Sequence, residues 1–279
     1  MQRLGWANRL GVILAVILSL SLWAPLAFTA PAGANGSPGE VWAWGNNDWG
    51  QLGDGTTTHH YIPASVSGLT GVIAVAGGQF HSLALKADGT VWAWGGNWAG
   101  VLGDGTTIDR YTPGQVSGLS GVTAIANGQG YHSLALKADG TVWAWGFNGF
   151  GQLGDGTTTH QLTPVRVSGL TDVVAIASGS YHSLALKSDG TVWAWGGNDF
   201  GQLGDGTTTR SHTPVQVRDL TGVIAVAGGN LHSLALKSDG TVWAWGYNGF
   251  GQLGDGTTTN RLTPVPVSGL SGVSAIAGG

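Results

Sequence analysis

An all-β propeller of about five four-stranded blades is the fold this sequence predicts, and three observations predict it. Trp-Ala-Trp-Gly recurs at Trp42, Trp92, Trp143, Trp193 and Trp243, at intervals of 50, 51, 50 and 50 residues. Self-similarity at that period marks a repeat architecture, in which each unit covers its apolar surface only by stacking on its neighbours. Every unit carries short apolar or alternating runs punctuated by glycine, with an Asp-Gly pair between two of them, the strongest short hairpin signal. Beyond Ala34, apolar residues recur at i+2 and not at i+3 and i+4, so no helical period is present.

The elements follow in chain order. Arg3 and Arg9 frame the start of an uncharged run from Leu10 to Leu22, followed by Trp23, Pro25 and small residues up to Ala34. This is the charged, apolar and small-residue succession of a secretory signal, and residues 1–34 are expected to be a signal helix cleaved after Ala34 or Ala32. An uncleaved anchor is the alternative, and either way the repeats are expected outside the cytoplasm. Residues 35–39 form a short polar lead-in, and residues 40–279 hold just under five repeats.

One unit shows the strand logic. Val165-Arg166-Val167 alternates and stops at Gly169-Leu170. Val173-Val174-Ala175-Ile176-Ala177 is a second run. His182-Ser183-Leu184-Ala185-Leu186-Lys187 is a third, and after Ser188-Asp189-Gly190 comes the fourth, Thr191-Val192-Trp193-Ala194-Trp195. Alternation puts Trp193 and Trp195 on one face of their strand, so both indoles are expected in buried layers between blades. Gly196 breaks that strand. Gly201-Gln202-Leu203-Gly204-Asp205-Gly206 reads as a compact loop, and Thr213-Pro214 restarts the next strand, where proline is tolerated.

Composition narrows the function. Gly is 51 of 279 residues and charged residues are 9 %, yet 14 tryptophans and 42 % apolar residues supply a large core. There is no cysteine, which excludes disulfides, thiolate metal sites and thiol catalysis. The net charge is -4 with 11 Lys and Arg in total, so the basic stripe of a nucleic-acid binder is missing.

The pattern G-x-x-H-S-L-A-L-K-x-D-G-T-V-W-A-W-G-x-N-x-x-G-Q-L-G-D-G-T, with clear copies over residues 78–106, 128–157, 179–207 and 229–257, resembles the regulator of chromosome condensation repeat. The resemblance covers residues 40–279 and implies a propeller, normally of seven blades. Members of that family include a nuclear nucleotide-exchange factor, and a secreted bacterial β-lactamase-inhibitory protein that binds through loops on one propeller face is similar in fold. Val41 matches Val242 and Gly279 matches Gly229, so the sequence starts and ends within a unit. A fragment of a seven-bladed ring is therefore expected, with an unusual small ring or an open arc as alternatives. The exchange factor acts through an insertion outside the repeats. The units here differ by one residue in length, near Gln129-Gly130, so neither exchange nor chromatin binding is carried over.

Repeated polar residues read as scaffold. His81, His132, His182 and His232 recur at a strand start, where a structural hydrogen bond is expected in preference to a metal site. Gly-Asp-Gly-Thr at Gly53, Gly103, Gly154, Gly204 and Gly254 supplies one carboxylate per loop, too few for calcium, and lacks the lysine of a phosphate loop. No catalytic residue, cofactor, metal, nucleic-acid partner or membrane span of the mature chain is expected. A propeller hydrolase or lyase would need an odd acid, base or metal cluster in one blade, and none stands out.

Positions that differ between repeats point to the surface. One set precedes the histidine (Phe80, Tyr131, Tyr181, Leu231), another follows Trp-Gly (Phe147, Tyr247), and a third follows the threonines (Tyr61, Arg110, Arg210). Exposed aromatics and arginines on variable loops are the composition of a protein-binding or glycan-binding face. Phe80 and Tyr131 are expected to be solvent-exposed. Trp49, Trp98, Phe150, Phe200 and Phe250 recur so regularly that they are assigned to packing. The sequence thus predicts an exported, non-catalytic binding scaffold.

Overall fold

The computed structural model describes residues 14–18, 39–128 and 131–279. Most of the lead-in, most of the signal segment and Gln129-Gly130, near which the extra residue falls, lie outside the described residues. The described chain is β-strand, turn and loop, with no helix. Nineteen strands fall into five sheets. The first holds β1 (Leu14–Leu18), β2 (Val41–Gly45) and β3 (His60–Ser65). Four sheets of four strands follow, each in sequence order: β4 (Val72–Gly77), β5 (His81–Lys86), β6 (Val91–Gly95), β7 (Arg110–Gln115); β8 (Val122–Asn127), β9 (His132–Lys137), β10 (Val142–Gly146), β11 (Gln161–Arg166); β12 (Val173–Ser178), β13 (His182–Lys187), β14 (Val192–Gly196), β15 (Ser211–Gln216); β16 (Val223–Gly228), β17 (His232–Lys237), β18 (Val242–Gly246), β19 (Arg261–Pro266). These sheets are antiparallel throughout.

The first strands β4, β8, β12 and β16 pack side by side, and the second strand of each sheet packs on the first strand of the next. The sheets are therefore the blades of a propeller with β4, β8, β12 and β16 innermost. The fourth strands lie outermost, and most of their residues are half-buried or exposed. Leu14–Leu18 differs from the helix expected there: β1 is extended and runs parallel to β2, with Leu14 opposite Val41. In the other blades that place beside the third strand belongs to the His-Ser-Leu-Ala-Leu-Lys strand. An apolar run pairing there satisfies a row of backbone groups that would otherwise lack partners.

The Asp-Gly hairpins form as the sequence predicts. At the β5–β6 turn Gly89 has φ +78°, and Asp88 Oδ1 accepts from Thr90 N at 3.0 Å and Thr90 Oγ1 at 2.6 Å. These bonds hold the Asp88 carboxyl below its ordinary pKa.

Blade junctions repeat one four-group motif. At the third junction the Gln152 carbonyl accepts from the Trp195 indole N–H at 2.8 Å and from the Ser183 hydroxyl at 2.8 Å. Ser183 Oγ lies 2.9 Å from His132 Nε2. The hydroxyl proton is committed to the carbonyl, so the histidine must be the donor: a neutral ring protonated at Nε2. Its Nδ1 is buried and has no partner. The same motif joins Trp145, Ser133, Val101 and His81, and again Trp245, Ser233, Gln202 and His182. The expected structural role of the histidines is therefore what the structure shows, with the bond crossing between blades. Adjacent His and Ser side chains of one strand do not meet; each serves a different junction.

The two tryptophans of each pair do not share one fate. Trp94, Trp145, Trp195 and Trp245 are fully buried, whereas Trp92, Trp143, Trp193 and Trp243 are half-buried. The first indole sits beside the Asp-Gly turn, where the sheet meets water. There its N–H donates to the turn threonine (Trp193 Nε1 to Thr191 Oγ1, 3.3 Å) and a lysine lies over its ring (Lys187 Nζ, 5.8 Å from the centroid). The expectation that both indoles are hidden between blades holds for the second and fails for the first.

Candidate partner-binding face

The loop after each Trp-Ala-Trp-Gly builds one end of the propeller. Its organiser is an asparagine whose role the sequence reading missed. Asn148 is fully buried. Its Oδ1 accepts from Leu153 N at 3.0 Å, and its Nδ2 donates to Asp155 Oδ1 and to the carbonyls of Thr157 and Thr159 at 3.1–3.2 Å. Asn47, Asn97, Asn198 and Asn248 do the same. The G-x-N-x-x-G spacing was the available signal, since a buried amide is kept only where every hydrogen bond is made. Gly-Asp-Gly-Thr closes this loop, as expected: Asp155 accepts from Thr157 N and Oγ1. Among the described residues no three His, Cys, Asp or Glu side chains are grouped to hold a metal.

This scaffold lifts an aromatic row onto the loop end. Trp49 meets Phe80 (ring centroids 5.8 Å apart), Phe80 stacks on Tyr131 (6.0 Å), and Tyr131 meets Trp98 edge-on (4.9 Å). Trp98 reaches Phe147 (5.6 Å), Phe147 reaches Phe150 (6.0 Å), and Phe150 reaches Tyr181 (4.8 Å). The row thus crosses four consecutive blades. Phe200, Tyr247 and Phe250 form a second, shorter group. The Arg210 guanidinium lies 4.4 Å from the Phe150 centroid while its Nη2 pairs with Asp199 at 2.9 Å. His160 packs on Phe147 (4.7 Å). Desolvation, with a smaller contribution from the neighbouring Tyr181, raises the pKa of the Tyr131 hydroxyl.

The structure therefore brings Phe80, Tyr131, Tyr181, Phe147 and Arg210 together, and places Tyr247 in the shorter group. Leu231, half-buried, occupies the equivalent pre-histidine position in the last blade. Arg110 and Tyr61 lie on outer strands apart from the row. Arg110 pairs with Asp104 (3.2 Å), and Tyr61 is 92 % exposed.

Two expectations need correction. Phe80 and Tyr131 are half-buried, because each ring is covered by the next one in the row, so their truncation costs stability as well as surface. Trp49, Trp98 and Phe250 are 43 %, 48 % and 88 % exposed, and are surface residues where packing was expected. Their regular spacing arises because each unit delivers its ring to the same rim.

Comparison with known proteins agrees with this architecture. The Regulator of chromosome condensation (RCC1) repeat model matches residues 38–85, 88–136, 139–186, 189–236 and 239–279. The human E3 ubiquitin-protein ligase HERC2 is 39 % identical over 145 residues, which is 50 % of this chain and 3 % of HERC2. The Arabidopsis thaliana ultraviolet-B receptor UVR8 is 35 % identical over 132 residues, 46 % of this chain and 30 % of the receptor. The chain therefore spans a minor part of these relatives. Among solved structures, human WBSCR16 superposes with a TM-score of 0.74 at 28 % identity, covering 84 % of this chain and 64 % of that one. Yeast RCC1 (Prp20), solved with Kap60, superposes with a TM-score of 0.71 at 25 % identity, covering 82 % and 57 %. Among the described residues no helix is long and apolar enough to cross a membrane. By repeat pattern, blade topology and family match alike, the chain belongs to the RCC1 repeat family.

Proposed function

We propose that this protein is an exported, non-catalytic binding module that holds a protein partner on its aromatic loop face. The continuous row from Trp49 to Tyr181 is the observation that carries this reading. Partly exposed Trp, Tyr and Arg side chains supply most of the energy at protein interfaces, because they bury large area at low entropic cost. The row lies on loops held rigid by buried asparagines, so little ordering is needed on binding. Export rests on the charged, apolar and small-residue succession of residues 1–34. Nucleotide exchange has no support of this kind, since no insertion interrupts the repeats. A catalytic reading would need a distinct acid, base or nucleophile cluster in one blade.

The test is retention of a defined protein from culture medium on the immobilised chain, followed by calorimetric titration of that protein. Trp49→Ala with Trp98→Ala is expected to weaken binding at least about tenfold while leaving the far-ultraviolet circular dichroism unchanged. Unaltered affinity in the double variant, or retention of glycans alone on an array, would remove the protein-binding reading. An intact Met1 on cytoplasmic material would remove export.

A further inference from the structure

One unit departs from the way the others close their loops. In four of the five units the residue after the threonines accepts a hydrogen bond from the backbone N–H of the buried loop asparagine. His59 does so through Nδ1 at 3.0 Å, Asp109 through Oδ1 at 2.7 Å, His160 through Nδ1 at 3.0 Å and Asn260 through Oδ1 at 2.8 Å. The fourth unit has Arg210 in that place. A guanidinium carries donors only, and among the described residues the backbone N–H of the buried Asn198 has no partner. Leaving a buried donor unpaired costs stability. Residues that break a local rule at such a cost concentrate at functional sites.

Arg210 turns instead toward the preceding unit. Its guanidinium lies 4.4 Å from the Phe150 ring centroid, and its Nε and Nη2 donate to Asp199 at 3.2 and 2.9 Å. Ring and carboxylate together fix the guanidinium plane, while arginine and aspartate both stay exposed. One edge of the fork is thereby spent. The other edge, Nη1 with the second hydrogen of Nη2, has no acceptor among the described residues. Arg110 and Arg261 behave differently, for each pairs with the Gly-Asp-Gly-Thr aspartate of its own loop, Asp104 and Asp255. Arg210 is thus the arginine that reaches the aromatic row.

We infer that the open edge of Arg210 takes a carboxylate of the protein partner, and that this arginine sets which partner the row accepts. The inference rests on the binding role proposed for the row. A planar fork of donors matches the two oxygens of a carboxylate, and a guanidinium already stacked on a ring and paired loses little freedom on binding. Covering the site with the partner removes water, which strengthens the pair. The surrounding charge narrows the partner further. From Trp-Gly to the first outer-strand residue, the five units carry eight aspartates against three arginines and no lysine. A run of acids is repelled by such a face. The occupant is therefore a segment with a single Asp or Glu set among apolar side chains, which cover Phe150 and Tyr181 while the carboxylate meets Arg210.

The probe is a library of random short peptides selected on the immobilised full chain, with the best peptide then titrated by calorimetry. Selected peptides are expected to carry one Asp or Glu between apolar residues. Exchanging that acid for its amide is expected to weaken binding about tenfold or more, and so is Arg210→Asn. The two changes together are expected to cost no more than either alone, since both remove the same bond. Arg210→Asn installs the capping residue of the fifth unit, so its urea midpoint is expected to match or exceed that of the wild type. Selected peptides without an acid, an acid whose exchange costs as much in Arg210→Asn as in the wild type, or a lowered midpoint for Arg210→Asn would each overturn the inference. Such peptides would leave the binding role of the row standing if Trp49→Ala with Trp98→Ala still weakened them. A selection that yields no peptide would remove both.

Discussion

Trp195→Ala is expected to lower stability by about 3–5 kcal/mol, and Trp193→Ala, two residues away, by only about 1–2 kcal/mol. Trp195 is fully buried in the cluster of Leu134, Val142, Leu153 and Val167 from the preceding unit, and its N–H fills one lone pair of the Gln152 carbonyl. Truncation leaves a cavity between two blades, with that carbonyl reduced to the serine as its donor. Trp193 keeps one flank in water under Lys187, so less burial is lost. Urea unfolding of both variants measures the contrast. Equal losses, or a loss below about 1 kcal/mol for Trp195→Ala, would contradict the assignment of the second indole to the junction.

Acidification is expected to unfold the protein through its junction histidines. Burial pushes His132 down to about 3 and, with contributions from His232 and His132, His182 to about 3; burial and the nearby His132 do the same for His81. The unfolded chain takes up protons near the ordinary value of 6.5, while the folded chain refuses them until pH approaches 3. The stabilisation is therefore complete above 6.5 and is lost as pH falls through that window. Each histidine contributes a slope of about 1.4 kcal/mol per pH unit, so three together approach about 4 kcal/mol per unit. That is enough to exhaust a domain stability at the lower end of the usual range of about 5–15 kcal/mol near pH 5. The physical obstacle is the tautomer: Nε2–H is already used, and a proton added to the buried Nδ1 of His132 or His182 would make an N–H with no acceptor to donate to. Urea midpoints across this range should fall steeply, and His182→Gln, which keeps a donor toward Ser233, should make the fall shallower. A midpoint unchanged between neutral pH and about pH 5 would show that the rings are hydrated.

Much of this architecture was legible in the residues. The period of Trp-Ala-Trp-Gly gave the blade count, and Asp88-Gly89 and its equivalents gave the hairpins, because both signals are local. Alternation placed Trp193 and Trp195 on one face but could not say which is buried, since that depends on the distance of each from the turn and on what the next blade brings. The aromatic row was half-legible. Phe80, Tyr131, Tyr181 and Phe147 were drawn from the positions that vary, yet Trp98 and Trp49 were set aside because they repeat. Periodicity separates scaffold from surface only when a unit is judged alone. In a propeller a repeated side chain at the rim becomes a row, and it takes the packing of adjacent units to reveal that. The asparagine of the loop and the inter-blade serine went unread for a related reason: their partners are backbone carbonyls and neighbouring units that no local motif names.

From the second junction on, the donors and acceptors come from the same positions of two consecutive units, and the first junction keeps the tryptophan, serine and carbonyl of that set. Whole repeats are thus exchangeable parts. In-frame duplication or deletion of one would change the length of the protein while every seam kept the same chemistry, which makes gain and loss of entire blades the mildest large change this sequence can undergo.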